Sequence, residues 1–270
     1  MFKARFLTSI VLAPLAIYAV FGLSLLPFTL LLDLVLLLAA WEWANLSGYQ
    51  TLQQRLGYLL AVAAGLGGLH WLQPHLPLSL VLGSALLFWL LALVWVLRFP
   101  ATCGWRHAWQ RALIGFAVLL PCWFALVQVK SHPQAEFWLL CLLLLVWGAD
   151  VGAYIAGKSL GRNKLAPKVS PGKTREGLLG GLLTCFAVGV GFSIWLELDL
   201  QAGVLLMLLA VCTGLMSVLG DLFESMLKRE RGIKDSSRIL PGHGGILDRI
   251  DSLTAAAPFF VLWLYCLLPA

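Results

Sequence analysis

Apolar runs of roughly twenty residues, the length of helix that crosses the hydrocarbon core of a bilayer, follow one another along almost the whole chain. Of the 270 residues, 60% are hydrophobic and 12% are charged, whereas a soluble domain carries about 25% charged residues. The runs do not alternate between polar and apolar residues, as the strands of a membrane barrel do. The pattern therefore predicts an all-α fold, a polytopic transmembrane helical bundle.

These runs predict about nine spans within a single integral membrane domain, 1–270. Their approximate bounds are 7–22, 25–44, 56–73, 78–97, 112–129, 136–157, 177–195, 202–220 and 250–268. Pro14 and Pro27 interrupt the first two runs, which makes their bounds the least certain. Neither an internal repeat nor a separate soluble domain is visible.

The distribution of basic residues tests this span count independently. With a cytoplasmic N-terminus, every Lys and Arg except Lys130 falls on the cytoplasmic side, which is 18 of the 19. Membrane proteins concentrate their basic residues on that side. We therefore expect a cytoplasmic N-terminus and two cytoplasmic active-site loops, at about 158–176 and 221–249.

The second of these loops combines both charge signs with a glycine turn around His243. The charged residues in and just after this loop include Lys228, Arg229, Arg231, Lys234, Arg238, Arg249, Asp235, Asp248 and Asp251. Carboxylates can hold a hard cation, basic groups can hold phosphates, and glycines let the backbone approach a ligand closely. This combination indicates phosphate chemistry at a membrane surface. The alternative is a set of surface ion pairs, which contribute little to stability.

The spacing of three aspartates suggests a magnesium site. Asp248 and Asp251 lie three residues apart and share one helix face, and Asp221 ends the eighth span. If the two helix ends are adjacent, these carboxylates can hold Mg²⁺ together with substrate phosphates. Salt bridges to the nearby basic residues are the alternative. We interpret His243 as a substrate contact and not as a zinc ligand.

The first loop carries six basic residues against Glu176 alone. Such a loop can simply set the topology and contact anionic lipids. However, Ser170, Lys173 and Thr174 lie in a tight polar turn before the seventh span. A turn of this kind presents backbone N–H groups, a hydroxyl and an ammonium group to a phosphate, so we favour phosphate binding.

Three carboxylates fall inside predicted spans. Asp150 lies in the inner part of the sixth span, where an ionised carboxylate is costly. It either pairs with a basic group or faces an active-site cavity, and we favour the cavity. Asp33 lies near the outer interface, and Glu42 lies deep on the inner side, where it could line the cavity. Neither is assigned to catalysis.

A P-loop spacing, G-x-x-x-x-G-K-S, occurs at residues 152–159. A true P-loop follows a strand and precedes a helix, which receives phosphate at its N-terminus. Here the motif follows an apolar membrane run, so we interpret it as a last helical turn and not as a phosphate site.

The polar motifs together resemble the signature of the phosphatidate cytidylyltransferases, also called CDP-diacylglycerol synthases. The resemblance rests on Ser225-x-x-Lys228-Arg229, Lys234-Asp235, Pro241-Gly242-His243-Gly244-Gly245 and Asp248-Arg249-x-Asp251, preceded by Asp150-x-x-Ala153-Tyr154-x-x-Gly157-Lys158 and Ser170-Pro171-Gly172-Lys173-Thr174-x-Glu176-Gly177. It covers the C-terminal half, whereas the N-terminal half is similar only as a set of apolar spans. Gly172 departs from the pattern, in which we expect many relatives to carry a second lysine.

The resemblance implies transfer of CMP from CTP to phosphatidate, giving CDP-diacylglycerol and pyrophosphate for phospholipid biosynthesis. It places the enzyme in a bacterial-type inner membrane, among membrane lipid, with its active site facing the cytoplasm. It also suggests a homodimer, and no nucleic acid is expected as a partner. Mg²⁺ is the expected cofactor.

Site roles follow by matching these motifs to the chemistry of the residues. The expected catalytic residues are Asp221, Lys228, Asp248 and Asp251. The three aspartates among them are the expected metal ligands. The expected substrate-binding residues are Asp150, Ser170, Lys173, Thr174, Arg229, Lys234, Arg238, His243 and Gly244.

Two other functions compete with this prediction. A transporter would carry charged or broken helices near the bilayer midplane, whereas here the polar residues concentrate in two loops. A CTP-dependent kinase acting on a polyprenol or similar lipid would attack the terminal phosphorus of CTP instead. The charge distribution alone does not distinguish this kinase from a cytidylyltransferase, but the motif around His243 favours cytidylyl transfer.

Overall fold

A computed structural model describes the backbone of residues 2–267 and the side chains of residues 10–266 apart from Leu12. Within this range the chain forms nine α-helices and one small hairpin. The helices are α1 (Phe2–Phe21), α2 (Leu25–Ser47), α3 (Leu52–Leu72), α4 (Leu78–Arg98), α5 (Ala108–Lys130), α6 (Ala135–Leu160), α7 (Arg175–Trp195), α8 (Leu200–Glu230) and α9 (Leu247–Leu267). The strands are β1 (Lys164–Ala166) and β2 (Ser170–Thr174).

The helices confirm the predicted bundle. Each predicted span coincides with one helix to within a few residues at most ends, although residue 268 lies outside the described residues. Seven consecutive helices, α2 to α8, are long and apolar enough to cross a membrane. Many leucines face outward, such as Leu60 at 68% exposed, as expected where lipid and not water surrounds the protein. The chain is a multi-pass membrane protein.

Close helix packing organises the half of the bundle that carries the polar motifs. α6 packs most extensively on α7, and α8 on α9. A Cβ atom at Gly180 or Gly181 of α7 would collide with the α6 backbone at Gly152 or Ala149. Small residues at a crossing allow membrane helices to approach this closely. The inner ends of α6, α7, α8 and α9 are thereby held together.

The prediction of a loop beginning at residue 221 is wrong. α8 continues as helix to Glu230, ten residues past its predicted end, so Asp221 and Lys228 lie on a helix. The extension is amphipathic: Phe223, Met226 and Leu227 are buried, and Arg229 is exposed. The helix therefore persists because its apolar face packs on the bundle after the purely apolar run has ended.

The first polar loop also contains regular structure. α6 extends to Leu160, so residues 152–159 are helical, which confirms that the P-loop spacing is accidental. The chain then forms an antiparallel hairpin in which Lys164 pairs with Thr174 and Ala166 with Ser170. These strands are too short for alternation to predict them. They add a small β element to an otherwise all-α fold.

Basic side chains gather at one end of the bundle. The C-terminal end of α2 accepts hydrogen bonds from Arg55, Arg111 and Arg231, which come from three different parts of the chain. Lys130 lies at the opposite end, where it donates to the Val20 carbonyl. The end that holds α2's C-terminus is called the inner end below. The N-terminal basic side chains, Lys3 and Arg5, lie outside the described side chains.

Candidate active site

Lys228 is the centre of a buried ionic cluster at the inner ends of α8 and α9. Its ammonium group lies 2.8 Å from Glu224 Oε2, one helical turn earlier, and 2.6 Å from Asp248 Oδ1. The three side chains are only 9%, 3% and 6% exposed. A buried ion pair is retained only with good geometry, because both charges lose their hydration. The cluster therefore fixes α8 and α9 relative to each other.

Asp248 is fully hydrogen-bonded by the protein. Oδ1 faces Lys228, and Oδ2 accepts from the Ser236 N–H, the Ser236 hydroxyl and the Gly245 N–H, at 2.9, 2.9 and 2.7 Å. Its carboxylate thus joins α8, the loop after α8 and the first turn of α9. Such a side chain has one defined orientation, which catalytic groups require.

The glycine turn is shaped by close contacts. Gly244 has a φ of +82°, a region that glycine adopts freely. Its carbonyl accepts a hydrogen bond from the Leu240 N–H at 2.9 Å, which forms an isolated antiparallel bridge. At Gly245 a Cβ atom would collide with the Ser236 hydroxyl and the Glu42 carboxylate. Glycine is needed there because the turn lies directly against two polar side chains. The turn places His243 at the edge of a groove described below.

A second ion pair lies beside the first. Lys173, from β2, is 2.7 Å from Asp221 Oδ2 on α8, and the Ser225 hydroxyl donates to Asp221 Oδ1 at 3.1 Å. Both charged side chains are partly exposed, at 25% and 28%. The hairpin therefore brings a lysine from the first polar loop to an aspartate of the second, as the predicted shared site requires.

The hairpin itself is held by polar contacts to the start of α7. Thr174 is the N-cap of α7, and its hydroxyl accepts from the Gly177 N–H at 3.1 Å. Glu176 accepts from the N–H groups of Arg162 and Asn163 and from the Asn163 amide. Ser170, predicted as a phosphate ligand, begins β2. Thr174 thus has a structural role in addition to any contact with substrate.

The predicted basic residues occupy unequal positions. The Arg229 guanidinium donates to the Val169 carbonyl at 3.1 Å and to the Ile233 carbonyl at 3.4 Å, which ties the two polar segments together. Lys234 and Arg238 are exposed on the loop and line neither cavity described next. Of the basic side chains expected to hold phosphate, Lys173 and Lys228 lie nearest the carboxylates.

Two cavities meet at Asp150. The hairpin cavity, about 340 Å³, lies between α6, β2 and α7 and is lined by Asp150, Tyr154, Lys158, Lys173 and Thr174 among others. The membrane groove, about 460 Å³, is lined by apolar side chains of α1, α2, α5 and α6. Its inner end is polar and comprises Asp150, His243, Asp248, Arg249 and Asp251. A polar pocket and an apolar groove therefore share one wall.

Asp251 is brought to the site by the crossing of α8 and α9. A Cβ atom at Gly220 would collide with the Asp251 carbonyl, so the helices touch at this point, next to Asp221. Asp251 Oδ1 accepts from the Ser252 N–H at 2.7 Å. The expected metal ligands thus lie around one helix crossing, and Asp221 and Asp251 approach it from opposite helices.

The chain is similar throughout its length to known enzymes. A model of the cytidylyltransferase family matches residues 3–267. The phosphatidate cytidylyltransferase of Pseudomonas aeruginosa is 45% identical over 268 residues, which covers 97% of both chains. That of Haemophilus influenzae is 37% identical over 284 residues, covering 96% of this chain and 97% of the relative.

The chain belongs to the cytidylyltransferase family. The predicted family resemblance is thereby confirmed, and it extends beyond the C-terminal half on which the motifs lay. The match includes α1 to α5, which sequence motifs did not connect with the site.

Three residues of the polar cluster at the inner end were missed by sequence reasoning. Glu224 has a visible signal, since Glu and Lys four residues apart on a helix pair readily. Glu42 was noted as an intramembrane carboxylate but given no role, and Ser236 was not singled out. Glu42 and Ser236 contact each other but lie 194 residues apart in sequence, so only the fold brings them together.

The site's donor chemistry can be compared with the needs of Mg²⁺. Around the cavities the carboxylates outnumber the cationic groups. Counting the lining of both cavities and the two ion pairs, the former are Asp150, Asp221, Glu224, Asp248 and Asp251, and the latter are Lys158, Lys173, Lys228 and Arg249. Oxygen ligands with excess negative charge suit Mg²⁺, which usually uses one or two carboxylates plus substrate phosphates. Among the described residues, no three His, Cys, Asp or Glu side chains converge as a preformed site.

Proposed function

We propose that this chain is a phosphatidate cytidylyltransferase, which transfers CMP from CTP to phosphatidate and releases pyrophosphate. The relatives that bear this name cover nearly the whole chain. One structural observation supports it most directly: the charged hairpin cavity and the apolar membrane groove share Asp150. A water-soluble triphosphate and a membrane lipid can therefore meet at one place.

The reaction joins two anions and expels a third. An oxygen of the phosphatidate phosphate forms a bond to the α-phosphorus of CTP, while the bond from that phosphorus to the β-phosphate oxygen breaks. The attacking oxygen is already ionised near neutral pH, so no strong general base is needed. The main barrier is charge repulsion, which preorganised cations reduce.

Two lysines are placed to reduce that repulsion. Lys173 lies on the wall of the hairpin cavity, and Lys228 lies between Glu224 and Asp248, the second of which lines the membrane groove. Because each lysine already contacts a carboxylate, a phosphate would replace or share that partner. We assign Lys173 to a phosphate of CTP and Lys228 to the charge that develops on the leaving pyrophosphate.

The membrane groove is assigned to the acyl chains of phosphatidate. Its apolar walls include Phe28, Leu32 and Val35 of α2 and Leu143 of α6. Removing lipid methylene groups from an apolar environment costs about 0.8 kcal/mol each, so the lipid must react without leaving the bilayer. The polar end of the groove, at Arg249, would then receive the phosphate headgroup.

Magnesium is part of the proposal. Asp221 and Asp251 would hold it, with Asp248 joining if its contact with Lys228 is exchanged for the ion. When bound, Mg²⁺ would neutralise charge on the phosphates. The helix crossing at Gly220 supports this assignment, because it brings Asp251 of α9 next to Asp221 of α8.

The proposal also includes location. The basic side chains at the inner end support a cytoplasmic orientation in a bacterial-type inner membrane, by the rule that basic residues stay inside. CTP would then reach the hairpin cavity from the cytoplasm. A homodimer stays a prediction, and nothing in the proposed chemistry requires a second copy.

The test uses purified protein in detergent with phosphatidate, Mg²⁺ and CTP labelled at either the α or the γ phosphorus. We expect α label in the lipid product and γ label in pyrophosphate. Entry of γ label into a lipid alcohol would show a kinase instead. No transfer to any lipid by folded protein would overturn the enzyme assignment. A parallel titration of Mg²⁺ against EDTA tests the cofactor.

A further inference from the structure

Glu42, on the inner half of α2, is a buried and fully bonded carboxylate to which the proposed function gives no role. It is 1% exposed and accepts four hydrogen bonds. Oε1 accepts from the Ser237 hydroxyl at 2.6 Å and the Ile246 N–H at 3.0 Å. Oε2 accepts from the Leu247 N–H at 2.7 Å and lies 3.0 Å from the Ser236 hydroxyl, whose single hydrogen it shares with Asp248. Each oxygen thus binds one hydroxyl and one backbone amide.

These contacts secure the start of α9. Ile246 and Leu247 are at the first turn of that helix, where backbone N–H groups have no partner within the helix. A carboxylate is favoured there because the helix dipole places partial positive charge at the N-terminus. Glu42 therefore caps α9 although it belongs to α2, and the first turn so fixed carries Asp248 and Asp251.

Ser236 links Glu42 to Asp248 directly. Its hydroxyl lies 3.0 Å from Glu42 Oε2 and 2.9 Å from Asp248 Oδ2, and the residue is 1% exposed. The same Asp248 oxygen accepts from Gly245, whose position leaves no room for a Cβ atom beside Glu42. A change at Glu42 would therefore reach Asp248 through one hydroxyl and through the glycine turn.

We propose that Glu42 is a positioning residue for cytidylyl transfer: it holds the glycine turn and the first turn of α9 so that Asp248 and Asp251 face the substrates. This inference rests on the proposed function for its activity readout. Glu42 does not contact the reacting phosphates. Its effect is on the orientation of the carboxylates that do.

The primary variant is Glu42→Gln, which keeps the size of the side chain and one oxygen acceptor. The NH2 group of the glutamine would replace one accepting oxygen. It would face a hydroxyl and a backbone N–H, which are both donors in the wild type, so half of the hydrogen bonds would be lost. Displacement of catalytic groups by about 1 Å can lower rates about a hundredfold, and we expect a fall in kcat of that order. Glu42→Asp keeps the charge and should recover part of the activity.

Asp33→Asn is the matched control. Asp33 is also an acidic residue of α2, and it accepts from Trp123 at 2.7 Å and contacts His70 at 2.8 Å, in the outer half of the bundle. The variant should lower the melting temperature and leave kcat within about twofold, as expected for a change distant from the chemistry. If both variants lose activity in proportion to their stability, Glu42 is merely structural and the proposal fails.

A double-mutant cycle with Ser236→Ala gives a second readout. If both residues act on Asp248 through the same contact, the loss in Glu42→Gln/Ser236→Ala should be smaller than the product of the single losses. Losses that multiply would show that the two residues act independently, and would overturn the proposed route.

Hydrogen exchange separates this proposal from the proposed function. The amides of residues 236–247 should exchange at least tenfold faster in Glu42→Gln than in wild type, and at the wild-type rate in Asp33→Asn. Unchanged exchange would overturn the positioning role even in an active enzyme. If wild type transfers no cytidylyl group, the function fails, and exchange alone still decides whether Glu42 holds the turn.

Discussion

The two ends of the bundle both bury charged side chains, but they do so differently. At the outer end, Lys130 donates to the Val20 carbonyl at 2.6 Å and lies 5.5 Å from the Phe28 ring centre. At the inner end, Lys228 contacts two carboxylates, and one of them continues into the glycine turn. The outer contacts connect α5 to α1 and α2 through a backbone carbonyl and an aromatic ring. The inner contacts connect α2, α8, α9 and the loop between the last two through carboxylates.

This difference shows which buried charges indicate function. Both lysines are buried and have close partners, so burial and pairing do not distinguish them. The inner cluster differs because two carboxylates, Glu224 and Asp248, contact the single cation Lys228, and Asp248 also lines the membrane groove. An excess of one charge beside a cavity leaves capacity for a ligand. Lys130, in contrast, bonds the Val20 carbonyl, lies 3.7 Å from Glu136 and lines neither cavity.

The largest effect should come from exchanging the two buried lysines for an apolar residue of similar length. Lys228→Met should lower kcat/KM about a thousandfold, because preorganised charge near the phosphates is lost. Lys130→Met should leave kcat/KM within about twofold and lower stability by about 1–3 kcal/mol. Radiolabelled CTP transfer and thermal unfolding measure the two effects.

The contrast between the lysines has its own control. Lys228→Met leaves Glu224 and Asp248 without their cation, which can destabilise the fold by about 3–5 kcal/mol. Lys228→Arg keeps the charge and should fold while still losing rate. Equal loss of activity in folded Lys130→Met would mean that the outer end also serves the reaction, and the comparison would be wrong.

The next largest effect concerns the hairpin. Lys173→Met should raise the KM for CTP about 10- to 100-fold, because a charge-assisted hydrogen bond contributes about 1.5–3 kcal/mol. Lys168→Met, on an exposed residue of the same hairpin, should change the KM by less than about twofold. Steady-state kinetics at varied CTP distinguish them. Equal increases in KM from both substitutions would show that the hairpin attracts CTP by its overall positive charge and that Lys173 makes no specific contact.

A smaller effect should follow from narrowing the membrane groove. Val35→Trp places a large ring in the groove and should raise the KM for a long-chain phosphatidate about tenfold, equivalent to losing contact with about two methylene groups. Leu34→Trp, on the adjacent lipid-facing position, is the control, since Leu34 is 55% exposed. A short-chain phosphatidate should be affected less than the long-chain one. Similar KM values for the two lipids would remove the acyl chains from this groove.

Arg229→Ala should have the smallest effect. Its guanidinium bonds the carbonyls of Val169 and Ile233, so it joins the two polar segments without facing either cavity. Loss of such hydrogen bonds, about 1 kcal/mol, should lower kcat/KM about fivefold. A loss as large as that of Lys228→Met would instead return Arg229 to the phosphate-binding role that the sequence predicted.

Much of the fold was predictable because hydrophobicity dominates in a bilayer. The apolar runs located all nine helices, since a lipid-spanning segment must be both helical and apolar. The end of α8 was missed because Asp221 begins a polar stretch, yet Phe223, Met226 and Leu227 keep one face buried. The hairpin was missed because its strands contain three and five residues.

The site was predictable to the extent that its motifs are local. Asp248, Lys228 and Lys173 were identified from short motifs, and the structure brings the first two together and the third to Asp221. The contribution of α2 was not predictable, because Glu42 meets Ser236 only through tertiary packing. A single carboxylate within a predicted span indicates that some partner must exist, but the sequence does not identify that partner.

α8 has 31 residues, a length of about 46 Å at about 1.5 Å per residue. The hydrocarbon core is only about 30 Å thick, so the same rigid helix that crosses the bilayer also carries Lys228 beyond it. Tilting or sliding of α8 to suit a thinner or thicker bilayer would therefore change the height of that ammonium group above the lipid headgroups. The position of Lys228 relative to the bilayer is thus set by the length and tilt of one continuous helix.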